Sequence, residues 1–288
     1  MDEDQNRKKL AELYMLAVDQ GNARAQFDLG LCYMKGTGVS KDEKKAVEFY
    51  TLSADQGYAL AQHNLGTCYQ RGVGVSRDEK KAVKFYTLAV DQGLASAQYN
   101  LGICYMNGIG ISRDRKKAAE LYTLAVDQGL APAQYFLGVC YIHGTGVDKD
   151  EKKGVEFYML AADQGYPKAQ SGLGMCYIDG TGIEKDEKKA VELFRLAAEK
   201  KDIVAQYSLG MCYIHGQGVD KDRKRTVEYF TLAANQGFSL AQHYLGACYE
   251  NGIGVEKDEK KALELYMLAA NQGIDLAHQA IERLSRVK

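Results

Sequence analysis

The chain has no tryptophan and only two prolines, Pro132 and Pro167, in 288 residues. With so little proline and no low-complexity stretch, nothing in it reads as a linker between domains. No apolar run approaches the roughly 18 residues that a membrane-spanning helix needs. The opening Met1-Asp2-Glu3-Asp4-Gln5 is acidic, opposite in character to the basic start of a secretory signal. Neither charge sign is in excess: 37 Lys and Arg stand against 38 Asp and Glu, a net charge of −1. Phosphate binding needs a basic surface, so this balance argues against nucleic acid as the principal ligand. These absences lead to the expectation of a cytoplasmic chain without membrane insertion.

What the chain does have is a period. Cys32, Cys68, Cys104, Cys140, Cys176, Cys212 and Cys248 lie 36 residues apart without a slip. A stack of one unit has a reason for such spacing, because each copy presents the same surface to its neighbour. Other marks share the period: Leu29-Gly30 ahead of the cysteine, Tyr33 after it, then Gly36-x-Gly38-Val39, Lys41-Asp42, Lys45-Ala46 and Gln56-Gly57, with their equivalents.

Each unit reads as two helices. Ala25, Leu29, Cys32 and Tyr33 have the three-and-four spacing of an apolar helical stripe. Gly36 and Gly38 stop that helix. A second helix opens near Ser40 to Asp42, where either residue is a good N-cap and Ser40 with Glu43 has capping-box spacing. Its stripe is read as Ala46, Phe49, Tyr50, Leu52 and Ser53, ending at Gly57. Seven full units run 22–57, 58–93, 94–129, 130–165, 166–201, 202–237 and 238–273. Residues 8–21 match a second helix alone, and 274–288 match a first helix that serves as a C-terminal cap, with Glu282 and Leu284 in place of the expected glycine and cysteine. Sixteen helices then fill residues 1–288 as one domain.

The string Ala-Gln-x-x-Leu-Gly-x-Cys-Tyr-x-x-Gly-x-Gly-Val-x-x-Asp-x-x-Lys-Ala resembles the Sel1-like repeat, a relative of the tetratricopeptide repeat. The resemblance covers residues 8–288. It implies an all-α fold: an α/α right-handed superhelix (solenoid) of seven full 36-residue helix-turn-helix repeats plus terminal half-repeats. Two features depart from the family pattern. Tyrosine or phenylalanine stands where tryptophan is frequent, and the unit 166–201 ends Glu199-Lys200-Lys201 instead of Asp-Gln-Gly, which unsettles the turn after residue 199. A subset of Sel1-like proteins bridges two cysteines within each unit, and one cysteine per unit does not fit that subset. Stacked equivalents lie roughly 8–10 Å apart, beyond the ~7 Å that a disulfide tolerates. Buried, reduced thiols are the expectation.

The second face of the first helix changes from copy to copy, where packing alone would keep it constant. The resemblance places this variable face on the concave side of the array, as a groove suited to a peptide or partner helix. Its candidate binding residues are Asn64, Tyr99, Asn100, Ile103, Tyr135, Phe136, Val139, His143, Met175, Tyr207, Met211, His215 and Tyr244, beside His63, Thr67 and Arg71 in the second unit. Aromatic residues and methionine with a few amides suit protein recognition. The packing alternative for Tyr99, Tyr135 and Phe136 is that they contact the neighbouring unit. Asn64 and Asn100 suit a peptide backbone, as asparagines do in related tetratricopeptide grooves.

No nucleophile, base and orienting group converge. The Gly-x-Gly elements lack the third glycine and preceding strand of a phosphate loop. The row His143, Asp179, His215 is the strongest candidate for a metal or for hydrolase-like chemistry, but a metal needs its ligands within about 2.0–2.2 Å of one point. The reading is a protein-interaction adaptor or scaffold, not an enzyme and without a cofactor, monomeric, binding a peptide or partner protein in the groove. Metal or small-molecule activity in the groove, or end-to-end structural assembly, are the alternatives.

Overall fold

The computed structural model describes residues 3–286. Residues 1–2 and 287–288, the latter closing the expected capping segment 274–288, lie outside the described residues. Among the described residues there are sixteen α-helices and no strand. The first eight are α1 (Glu3–Asp19), α2 (Ala23–Lys35), α3 (Glu43–Asp55), α4 (Ala59–Arg71), α5 (Glu79–Val90), α6 (Ala95–Asn107), α7 (Arg115–Val126) and α8 (Ala131–His143). They are followed by α9 (Glu151–Asp163), α10 (Pro167–Asp179), α11 (Glu187–Glu199), α12 (Ile203–His215), α13 (Arg223–Asn235), α14 (Ser239–Asn251), α15 (Glu259–Ala270) and α16 (Asp275–Arg286). The chain divides into two compact units. One holds the residues up to Cys140 with Gly144–Lys149, the other Tyr141–His143 with Asp150 onward. Within each unit, consecutive helices pack pairwise as an α/α solenoid.

The caps explain where the helices begin and end. At the second helix of every full repeat the N-cap is the aspartate, not the serine: Asp42 Oδ1 accepts from Lys44 N and Lys45 N at 3.1 and 3.0 Å, and Asp78, Asp114, Asp150, Asp186, Asp222 and Asp258 do the same work. A carboxylate there also faces the positive end of the helix dipole, which a hydroxyl does not exploit. Each first helix ends on a left-handed glycine. Gly36 sits at φ 71° and donates to Cys32 O, which also accepts from Thr37 N at 2.9 Å. The recurring Leu-Gly pair has a steric cause: a Cβ on Gly30 would lie 2.7 Å from the Tyr50 ring, and Gly174 has the same relation to Phe194 at 2.6 Å. The missing side chain lets the aromatic ring of the second helix lie against the first helix.

The core is repeated accordingly. Ala46, Tyr50, Ala61, Leu65 and Cys68 form one buried cluster with Phe27 and Val47, and Phe230, Ala233, Ala241, Leu245 and Cys248 form its counterpart in the second unit. One residue read as core is not core. Leu52 is 48% exposed, and its equivalents Leu160, Leu196 and Leu268 are 49%, 48% and 51% exposed. At 100° per residue Leu52 falls beside the solvent edge of α3, so the helical stripe is narrower than the sequence pattern suggests.

A ladder of glutamines ties second helices to first helices. Gln56 Nε2 donates to Gln26 Oε1 at 2.7 Å, and the pairs Gln92–Gln62, Gln128–Gln98, Gln236–Gln206 and Gln272–Gln242 repeat the bond at 2.7, 3.0, 2.7 and 2.8 Å. In the repeat that ends Glu199-Lys200-Lys201 the ladder is broken. Lys200 Nζ reaches Gly165 O at 2.5 Å instead, and the buried Gln170 Oε1 has no partner. The turn nonetheless keeps its form. Lys201 N and Asp202 N donate to Ala198 O and Ala197 O at 2.9 and 3.0 Å, as Gly57 N and Tyr58 N do to Ala54 O and Ser53 O. Lys201 adopts φ 63° to do so, the only non-glycine among the described residues at positive φ.

Candidate functional site

The cysteines belong to the interior of the repeats. All seven are free and buried. Burial pushes the thiols of Cys68, Cys104, Cys140, Cys176, Cys212 and Cys248 up to about 11, so they stay protonated and unreactive near neutral pH.

The variable face of the first helices has a different character in each compact unit. In the first unit it carries a polar network. His63 Nδ1 lies 3.2 Å from Asn64 Oδ1, and His63 Nε2 lies 2.9 Å from Asn100 Nδ2. An amide oxygen only accepts and an amide nitrogen only donates, so the imidazole is the neutral tautomer with its proton on Nδ1. Burial pushes its pKa below the usual value, against the opposing hydrogen bond of Asn64. Thr67 Oγ1 donates to His63 O at 3.1 Å and lies 3.2 Å from Tyr86 OH, which donates to Gln70 Oε1 at 2.9 Å. Burial raises the pKa of the Tyr50 hydroxyl, and Asn64 beside it partly offsets that rise. The histidine therefore couples the orientations of the two asparagines.

One repeat further on, the network gives way to rings. Phe136 lies 5.7 Å from Tyr99, 5.9 Å from Tyr122 and 5.2 Å from Tyr135, centroid to centroid. The hydroxyl of Tyr122 is buried with no partner, and burial raises its pKa. Tyr99 and Phe136 thus pack across neighbouring repeats and Tyr135 packs on Phe136 within its own; all three are half-buried, as are Ile103 and Val139.

In the second unit the face is aromatic and sulfur-rich. Tyr207 lies 5.9 Å from Phe230 and 5.9 Å from Tyr244, and Tyr207, Met211 and Tyr244 pack as half-buried residues on the core cluster around Phe230. Ser208 Oγ approaches Met175 Sδ at 3.8 Å, and Met175 is 40% exposed. His143, Asp179 and His215 are all exposed. Among the described residues no group of three or more His, Cys, Asp or Glu side chains is assembled to hold a metal.

The sequence did not disclose a cavity on this face. About 240 Å³ of space in the first unit is bounded by Leu31, Met34, Tyr50, Asn64, Arg71 and Val73. Its walls come from α2, α3, α4 and the turn after α4, so it depends on side-chain sizes that meet only in the folded repeat.

The Sel1 repeat family model matches residues 23–58, 59–94, 95–130, 131–166, 167–202, 203–238 and 239–274. No curated protein matches the chain. Among solved structures, the Escherichia coli protein c5321, described as a protective antigen of uropathogenic strains with an SLR fold, is 34% identical over 94% of this chain, with a TM-score of 0.75. The match covers 58% of that protein, so this chain spans little more than half its length. A Sel1 repeat protein of Oxalobacter formigenes is 33% identical over 99% of this chain and 82% of its own, also with a TM-score of 0.75. An immunity protein of Pseudomonas aeruginosa shares the fold alone, at 22% identity and a TM-score of 0.51 over 74% of this chain and 80% of its own.

Proposed function

The chain belongs to the Sel1 repeat family, and from that premise we propose that it is an adaptor or scaffold that binds a peptide or partner protein on the variable face of its first helices and performs no chemistry itself. Sel1 repeat proteins generally act as protein-interaction scaffolds. The observation that carries the reading is the contrast between the two faces of one helix. Ala61, Leu65 and Cys68 of α4 are buried and recur in every copy, whereas His63, Asn64 and Thr67 on the same helix are half-buried and differ from copy to copy. Half-buried aromatic, amide and methionine side chains have the composition of recognition surfaces. The same proposal takes residues 1–288 as one array and as a cytoplasmic monomer, with protein partners in place of nucleic acid or membrane. No helix among the described residues is long and apolar enough to cross a membrane.

Site-directed photocrosslinking tests it. A photoreactive side chain in place of Ile103 or Met211 samples the variable face of each unit, and one in place of Leu124 or Leu232 samples exposed second-helix positions. Protein adducts from the first pair and not the second are the expected result. Adducts confined to the second pair would move the partner to the other helices and overturn the site assignment.

A further inference from the structure

The cavity in the first unit says what the partner brings. Leu31, Met34 and Val73 form its apolar walls, together with the ring of the buried Tyr50. At about 240 Å³ it falls below the roughly 300–1,000 Å³ of pockets for drug-sized molecules, and it suits a single aliphatic side chain.

Most polar groups around it are already engaged: Asn64 with His63, Thr67 with His63 O and Tyr86. Arg71 is the exception. It lines the cavity, is exposed, and forms no ion pair among the described residues. Lys35, its equivalent one repeat earlier, forms none either, and the equivalent one repeat later is the uncharged Asn107. Asp28, one turn before Leu31 on α2, is held by Arg24 at 3.8 Å. Uncompensated positive charge therefore stands at the mouth of an apolar hole, on a chain whose net charge is −1.

We propose that the cavity receives an aliphatic side chain from an acidic peptide segment, whose neighbouring Asp or Glu carboxylate is taken by the Arg71 guanidinium. This rests on the reading of the variable face as a partner-binding surface and adds the partner's chemistry. A guanidinium pairs a carboxylate through two parallel hydrogen bonds, which fixes direction as well as charge. The apolar wall then selects the residue beside it.

The experiment is fluorescence anisotropy of the full chain with pools of short labelled peptides. Each pool has a fixed central pair, Glu-Leu, Lys-Leu or Glu-Ser, with the remaining positions randomised. The expected result is that the Glu-Leu pool binds about tenfold more tightly than either other pool, and that added salt weakens it. That advantage is lost in Arg71→Glu and in the cavity-filling Leu31→Phe, with thermal melts of both variants unchanged. A Lys-Leu pool that binds as tightly, or a Glu-Leu advantage that survives in folded Arg71→Glu, overturns the proposal. So does saturable binding of decanoate alone with no preference among the pools. Binding without acidic preference that is lost in Asn100→Ala would sink this inference and leave the broader reading standing. Absence of binding by every pool would count against both.

Discussion

The turn after α3 and the turn after α11 occupy the same place in two repeats and are built from different residues. In the first, Gln56 holds Gln26 and Gly57 takes the left-handed backbone at φ 86°. In the second, Lys200 leaves Gln170 Oε1 unpaired and Lys201 takes φ 63°. Two hydrogen bonds that close the turn, from the left-handed residue and from the one after it, are the same in both. The helix ends therefore impose the turn, and the favoured residues lower its cost without determining its shape. A lysine in the left-handed region costs about 1–2 kcal/mol relative to a residue without Cβ, and an orphaned buried amide oxygen about 1–3 kcal/mol. The chain tolerates both because each repeat is supported from its two sides.

Alkali should act on every repeat alike, whichever turn it carries, and have the largest effect. The folded chain holds thiol protons that the unfolded chain releases from about pH 9, while the buried cysteines ionise only near 11. Between these values the native state binds more protons, so stability falls as pH rises through the window. Urea midpoints recorded from pH 8 to 11 check this, and a flat profile would contradict the burial of the thiols.

Transplanting the weak turn is the next test. Gln56→Lys with Gly57→Lys should destabilise the chain by about 2 kcal/mol in urea unfolding, combining the strain with the loss of Gln26's donor. Local opening reports the difference in the native chain. Pulse alkylation at pH 8, read by mass spectrometry, should label Cys176 and Cys212 about tenfold faster than Cys68, an opening easier by ~1.4 kcal/mol. Repairing the weak turn gives smaller effects of opposite sign. Lys201→Gly should stabilise by about 1 kcal/mol, and Lys200→Gln by about 0.5–1 kcal/mol through a donor for Gln170. A repair that leaves the urea midpoint unmoved would show that the turn is not where the energy differs.

The period made the helices and their order legible, because a mark that recurs at 36 residues averages out local ambiguity. It left open what depends on the third dimension. Ser40 and Asp42 are equivalent as letters, and only the carboxylate reaches the amides of Lys44 and Lys45. Leu52 carries an apolar letter at helical spacing and faces water. On the variable face, His63 was visible as a residue, but its part in aligning Asn64 and Asn100 needed the next repeat to be in place. The cavity at Leu31 and Arg71 was hidden for the same reason: it is a gap left where three helices and a turn meet.

The glutamine ladder bears on how the chain comes to be folded at all. Every one of its bonds joins residues 30 apart in a chain of 288. These tertiary polar ties thus reach only as far as the adjacent helices, the short-range kind of contact that costs little loop-closure entropy. A nascent chain leaving the ribosome can make each tie as soon as its second helix emerges, without waiting for the C-terminus. At Lys200 that vectorial assembly has to proceed without its usual rung.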